Sequence, residues 1–99
     1  MILTLLPIPG CQQSTAVAMN DSKQIVGLVV TDLGEVHAAL WQPKADGGYD
    51  MIDLSSVIPG WFIDEAFDIN DAGVIAVEGF QYNDPSSTYL PGLLFPESN

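Results

Sequence analysis

Ala16-Val17-Ala18-Met19-Asn20-Asp21-Ser22-Lys23-Gln24-Ile25-Val26 returns fifty residues later as Ala66-Phe67-Asp68-Ile69-Asn70-Asp71-Ala72-Gly73-Val74-Ile75-Ala76. The alanine and the Asn-Asp pair are identical in both stretches, and the apolar positions around them largely coincide. Pro9-Gly10 and Pro59-Gly60 keep the same offset, while Ala39-Leu40-Trp41 matches Leu93-Leu94-Phe95 at an offset of fifty-four. The second copy has therefore gained residues, most simply between Gln81 and Thr88. A fixed internal period marks a repeated supersecondary unit. The chain reads as a single domain, 1–99, built of two repeats, 1–49 and 50–99.

Each copy reads as four short strands, because runs rich in Val, Ile, Leu and aromatics are bounded by Gly, Pro, Asn or Asp. The expected strands are 2–8, 14–19, 24–30 and 36–42 in the first copy, and 50–57, 63–69, 74–79 and 89–95 in the second. No segment carries a helical period long enough to compete. Asn70-Asp71-Ala72-Gly73 suits a hairpin turn whose last residue takes a left-handed backbone. The first copy has Lys23 at that place, which must then accept a positive φ or use a different turn. Ala16 and Ala66 are small residues within strands, which implies close packing by a neighbouring sheet.

A lone four-stranded sheet cannot bury its apolar face. The expected fold is therefore all-β, with two four-stranded antiparallel repeat units in one of two arrangements. They pack as a sandwich or flattened barrel, or they stand as two propeller-like blades, in which case two or three chains would close a ring as a homodimer or homotrimer.

The 99 residues are 47% hydrophobic with mean hydropathy +0.25, too apolar for a disordered chain despite a net charge of −11. Thirteen carboxylates face only Lys23 and Lys44. Residues 1–49 hold four acids and both lysines, net −2; residues 50–99 hold nine acids and no base, net −9. Direct binding to nucleic acid or to an anionic membrane is disfavoured by repulsion. Cys11 is the only cysteine, which excludes an intrachain disulfide and a zinc site built on several thiolates. No stretch approaches the ~20 apolar residues of a membrane span. Leu6-Pro7-Ile8-Pro9-Gly10-Cys11 is a poor match to a lipoprotein cleavage site, lacking a basic leader and interrupted by prolines. The expected location is the cytoplasm.

Ala16 to Gly27, followed by His37-Ala38-Ala39-Leu40-Trp41, resembles the bacterial HAF repeat, named for a His-Ala-Phe triplet. The likeness spans nearly the whole chain. The second copy keeps Ala66 and Ile69-Asn70-Asp71-Ala72-Gly73, but it has no His-Ala pair, and Ala76-Val77 stands for the usual Val-Gly. The resemblance implies propeller-like β structure and an extracellular setting. It implies no catalytic residue.

His37 is the only histidine, so any histidine-based triad or metal cluster must pass through it, and its place in the repeat accounts for it without chemistry. Asp68-Ile69-Asn70-Asp71-Ala72-Gly73 begins like a calcium loop, but Ala72 and Gly79 stand where oxygen ligands belong. No phosphate-cradling loop is present. The expectation is a protein without catalytic residues, metal or cofactor.

Pro59-Gly60-Trp61-Phe62-Ile63-Asp64-Glu65 places two large aromatics beside an acidic pair in an expected turn region, and aromatic anchors ringed by charge often concentrate binding energy. Tyr82, Asp84 and Tyr89 in the enlarged loop form a second such patch. The candidate partner-binding residues are Trp61, Phe62, Asp64, Glu65, Asp68, Asp71, Tyr82 and Asp84. They suggest a non-catalytic acidic module that docks on a basic, nucleic-acid-binding surface of another protein. Phage-type inhibitors that mimic nucleic acid, of the anti-CRISPR or anti-restriction kind, work this way. The alternative is a structural or adhesive module of a secreted HAF-type repeat protein, which would place it outside the cell.

Overall fold

The computed structural model describes residues 1–97. Seven strands form, all antiparallel to their neighbours: β1 (Cys11–Met19), β2 (Ile25–Thr31), β3 (Val36–Pro43), β4 (Tyr49–Asp53), β5 (Trp61–Ile69), β6 (Ile75–Gln81) and β7 (Leu90–Leu94). They make a four-stranded sheet in the order β1-β2-β3-β4 and a three-stranded sheet in the order β5-β6-β7. The all-β class is as the sequence indicates. No closed barrel forms among the described residues, so the flattened-barrel form of the expectation is set aside.

The Asn-Asp hairpins agree in detail. Lys23 N donates to Asn20 O and Gly73 N to Asn70 O, at 3.1 and 3.0 Å. Each asparagine side chain then accepts the backbone N–H four residues on, from Gln24 at 3.0 Å and from Val74 at 2.9 Å. A short amide that closes its own turn is why asparagine suits this position. Lys23 has φ 67° and Gly73 φ 84°, so the lysine sits in the left-handed region that favours glycine. Lys23→Gly is expected to leave stability unchanged or to raise it by up to about 1 kcal/mol, a Tm gain of a few degrees. A thermal melt lowered by several degrees would overturn this account of the turn.

Three expectations are corrected. Residues 2–8 form no strand. Pro7 and Pro9 lack the amide donors a ladder needs, and Leu6, Ile8 and Cys11 instead lie across one face of the first sheet, where Trp41 Nε1 donates to Pro7 O at 2.8 Å. The strand expected at 50–57 is β4, and it pairs with β3 rather than opening the second sheet, so the sheets hold four and three strands. The turn Lys44–Gly48, with Lys44 N donating to Gly48 O at 2.8 Å, folds it back there. Finally, Ile25 pairs with Trp41 and Ile75 with Leu94, so Leu94 occupies the place of Trp41, one residue away from the Phe95 that sequence matching selects.

Strand pairing fixes which side chains share a face. Val26, Ala38 and Leu40, with Ala18, point from the first sheet into the main core. Ile63, Ala66, Ile69, Ile75 and Val77 meet them from the second sheet. Leu54 N donates to Ala38 O at 2.9 Å and Ile63 N to Ser55 O at 3.0 Å, so backbone hydrogen bonds tie the corner between the sheets to both of them. The other face of the first sheet carries Val29, Ala39 and fully buried Trp41, covered by residues 6–11 with Ile25, Tyr49 and Met51. Ala66 is fully buried, as expected, but Ala16 is exposed, because the second sheet covers only one face of the first.

Candidate functional site

The outward face of the second sheet is the side opposite Ile63, Ala66 and Val77. Cross-strand pairs set it out in order: Phe62 beside Phe80, Glu65 beside Glu78, and Asp68 beside Ala76. The Phe62 and Phe80 rings stack at 5.4 Å. Tyr82 packs edge-on against both, at 6.3 and 6.0 Å, and Tyr89 packs against Phe80 at 5.4 Å. His37 reaches over from the first sheet and meets Phe62 edge-on at 5.2 Å. A run of rings thus lies next to a row of acids. Aromatic pairs in these geometries add attraction beyond buried area, which makes them rigid anchors.

The acids are crowded. β5 bulges between Ile63 and Glu65, and the extra residue is Asp64. One of its carboxylate oxygens is buried without a hydrogen-bond partner. Burial, followed by the negative charge of Glu78 and then Glu65, pushes the Asp64 pKa up to about 6. Glu65 and Glu78 stand directly opposite one another, a like-charge pairing that weakens a sheet. Among the described residues, side-chain contacts join His37 to Glu35 and Asp53, and an ion pair joins Lys44 to Asp50 at 3.9 Å. None of them neutralises an acid of the second sheet.

Not all the residues singled out from sequence lie here. Phe62, Asp64, Glu65, Asp68 and Tyr82 do. Trp61 belongs to a strand rather than a turn and alternates to the other side of β5, lining a groove with Ile58 and Leu90. Asp71 is engaged elsewhere, its carboxylate accepting from Asp21 N at 2.8 Å across the two hairpins. Asp84 organises its own loop: Ser86 donates to it from both Oγ, at 2.7 Å, and N, at 3.0 Å. Those bonds hold its carboxyl below the usual range. Sequence reasoning missed Glu78. The alternation Ala76, Glu78, Phe80 against Ile75, Val77, Gly79 carries the signal that places it on the outward face.

A second polar cluster surrounds His37. Its Nδ1 lies 2.8 Å from Asp53 Oδ2 and 3.4 Å from Ser55 Oγ, and its Nε2 lies 3.3 Å from Glu35 Oε1. The residue types are those of a hydrolase triad, with Ser55 on one ring nitrogen and Glu35 on the other, but Asp53 holds the serine's nitrogen at the shorter distance. A relay needs that nitrogen free to take the serine's proton. Burial alone would raise the Asp53 carboxyl; hydrogen bonds from His37 and Ser55 more than offset it and hold the group low. Burial, with Asp32 and Asp53 nearby, pushes the Cys11 thiol up, away from the thiolate a nucleophile requires. Among the described residues no three His, Cys, Asp or Glu side chains converge as a metal-ligand set.

Comparison with protein-family models, curated proteins and solved structures finds no match for this chain.

Proposed function

We propose that this chain is a non-catalytic binding module whose second sheet presents its acidic, aromatic-lined outer face to a basic surface of another protein. The observation that carries the reading is the cluster Asp64, Glu65 and Glu78, which stands beside the Phe62–Phe80 stack and, among the described residues, has no cation to offset it. Like charges held opposite each other reduce stability in the free protein, and a basic partner would relieve the repulsion on docking. A protein surface of that sign commonly exists to hold nucleic acid. The module is therefore proposed as a nucleic-acid mimic that blocks such a surface, in the manner of phage-type inhibitors of restriction or CRISPR nucleases, acting in the cytoplasm.

The test is binding to a panel of purified restriction and CRISPR nucleases, with duplex DNA as competitor. Binding to at least one should compete with DNA and weaken tenfold or more as salt rises from low to several hundred millimolar. The pair Glu65→Lys and Glu78→Lys should weaken it by a further order of magnitude. Asp64 adds a pH signature. Its folded pKa lies above the unfolded value, so it is charged and costly to stability above about pH 6, and that penalty fades as pH falls through 6. Binding should weaken over the same interval as the negative charge is lost. Salt-insensitive binding, or affinity unmoved by the two reversals, would overturn the reading.

A second reading is favoured by one observation. Asn20 Nδ2 donates to Asn70 O at 3.0 Å and Asp21 N to Asp71 Oδ1 at 2.8 Å, so residues bond to their own counterparts fifty positions on. The faces that meet are also not equivalent: Ala18 and Val26 of the first sheet meet Ala66 and Ile69, whose counterparts are Ala16 and Met19 on the first sheet's other face. Two repeats related in this way stack like successive blades rather than like the halves of a sandwich. That supports the HAF-type, propeller-like arrangement and a structural or adhesive role.

A further inference from the structure

The two sheets differ by one strand, and that difference leaves an open seat. In the first sheet the outer edge of β3 is paired by the five-residue β4, whose Tyr49 and Met51 pack beside Trp41. In the second sheet β7 holds the corresponding place, with Leu94 where Trp41 stands, and among the described residues nothing pairs with its outer edge. Beside it, Ile58, Trp61, Ile63, Val77 and β7 itself line an apolar groove of about 310 Å³. Leu90 and Leu93 are exposed there, Leu93 at 60%.

The same chain carries an apolar segment with nothing to bind. Met1, Ile2, Leu3 and Leu5 are exposed side chains, while Leu6 and Ile8 anchor the root of this arm on the first sheet. Residues 2–8 read from sequence as a strand, and only the stretch before Pro7 retains the amide donors a ladder requires. The free part, Met1–Leu5, has the same number of residues as β4 and as β7.

Charge narrows the occupant. Residues 61–97 carry seven acids and no base, so most acidic segments of this chain are repelled from β7. The first twenty residues contain no charged side chain at all. Geometry narrows it further. The arm's root lies on the face of the first sheet turned away from the second sheet, and the free arm spans at most ~17 Å. Its own β7 lies beyond the first sheet and across a further layer of ~10 Å. The arm is too short to round the edge and lie along it.

We propose that Met1–Leu5 of one copy pairs antiparallel with β7 of a second copy, supplying the fourth strand of the second sheet and filling the groove at Ile58 and Trp61. Backbone bonding to an open edge gives affinity and the groove gives register, the physics of strand addition. The contact joins two different surfaces, so it closes as a reciprocal dimer or as a ring.

The experiment measures the mass of the full chain by light scattering from low to high micromolar concentration, beside a variant lacking residues 1–5 and beside Leu93→Lys. Both changes fall on exposed residues, so far-UV circular dichroism and tryptophan fluorescence should match the unaltered protein. A closed oligomer whose dissociation constant rises tenfold or more in both variants is the expected result. Ile2→Cys and Leu93→Cys, which stand opposite each other when the two five-residue stretches pair end to end, each in a Cys11→Ser background and then mixed, should form a disulfide between the two variants. A chain that stays monomeric throughout, an oligomer that survives both variants, or a mixture that forms no disulfide would each overturn the proposal.

Discussion

Trp41→Ala is expected to destabilise the protein by about 3–5 kcal/mol, the range for emptying a fully buried tryptophan site. Trp41 has no exposed surface, and its indole N–H donates to Pro7 O at 2.8 Å. Removing it takes the centre from the cluster of Val29, Ala39, Ile25, Tyr49 and Met51, and also removes the hydrogen bond and the packing that tie Leu6, Pro7 and Ile8 to the first sheet. A domain of this size is stable by about 5–15 kcal/mol in all. The loss should therefore lower Tm by roughly 12 °C or more. Trp41→Phe keeps most of the packing and loses the hydrogen bond, so it should cost about half as much. Trp61→Ala is the control, because Trp61 is half-buried at the rim of a groove and its removal should cost less than either. Thermal melts of the three variants decide the order. A Trp61→Ala protein that melts below Trp41→Ala would show that the first sheet's far face is not a principal core.

What the sequence discloses about this fold is what lies close together along the chain. The hairpin at Asn20 and Asn70 is legible because asparagine closes its own turn, and the strain at Lys23 follows from the glycine in its counterpart. Pairing over longer distances is not legible in the same way. The apolar run that makes 2–8 a strand candidate is equally the pattern of an apolar cover, and the prolines alone do not say which sheet it covers. Ala16 and Ala66 are identical in sequence and opposite in environment, since burial at that position depends on whether another sheet lies on top. Matching Trp41 to Phe95 rather than to Leu94 is a one-residue slip, and in a strand such a slip exchanges the faces.

The candidate site divides along the same line. The excess of acid in the second half is plain from composition, and Phe62, Asp64, Glu65 and Asp68 are near one another simply because they share β5. Alternation within that strand separates Trp61 from Phe62, a distinction the sequence contains once the strand's limits are known. The grouping of His37 with Asp53 and Ser55 is of another kind. It depends on β4 folding back along β3, and no local pattern near His37 announces it.

Gly27→Ala is expected to cost about 3 kcal/mol or more, although Gly27 is neither in a turn nor at a positive φ. The reason lies across the ladder. Val17 is the extra residue of a bulge in β1, and the bulge brings the backbone against β2 where Gly27 pairs with Ala16. A methyl group on Gly27 would overlap Thr15 O and lie 3.2 Å from Ala16 Cα. Both obstacles are backbone, so only a shift of the strand could make room. Gly79 faces the β5 bulge at Asp64, where a methyl group would meet Phe62 O at 2.5 Å. Val77, the counterpart of Gly27, pairs with Ala66 beside the equivalent bulge at Phe67 and carries a side chain there, so the close approach at Gly27 is particular to the first sheet. Gly34→Ala separates sterics from backbone preference: Gly34 has φ 86° with open space around it, so alanine there should cost only about 1 kcal/mol. The expected order of Tm loss is Gly27→Ala largest, Gly79→Ala next and Gly34→Ala least, with Gly27→Ala lower by roughly 12 °C or more. If Gly34→Ala proves the most damaging, the bulge does not constrain Gly27 and the close approach of β1 to β2 is wrong. If Gly79→Ala is harmless, the Asp64 bulge is adaptable, and the crowding of Asp64 against Glu78 should relax with it.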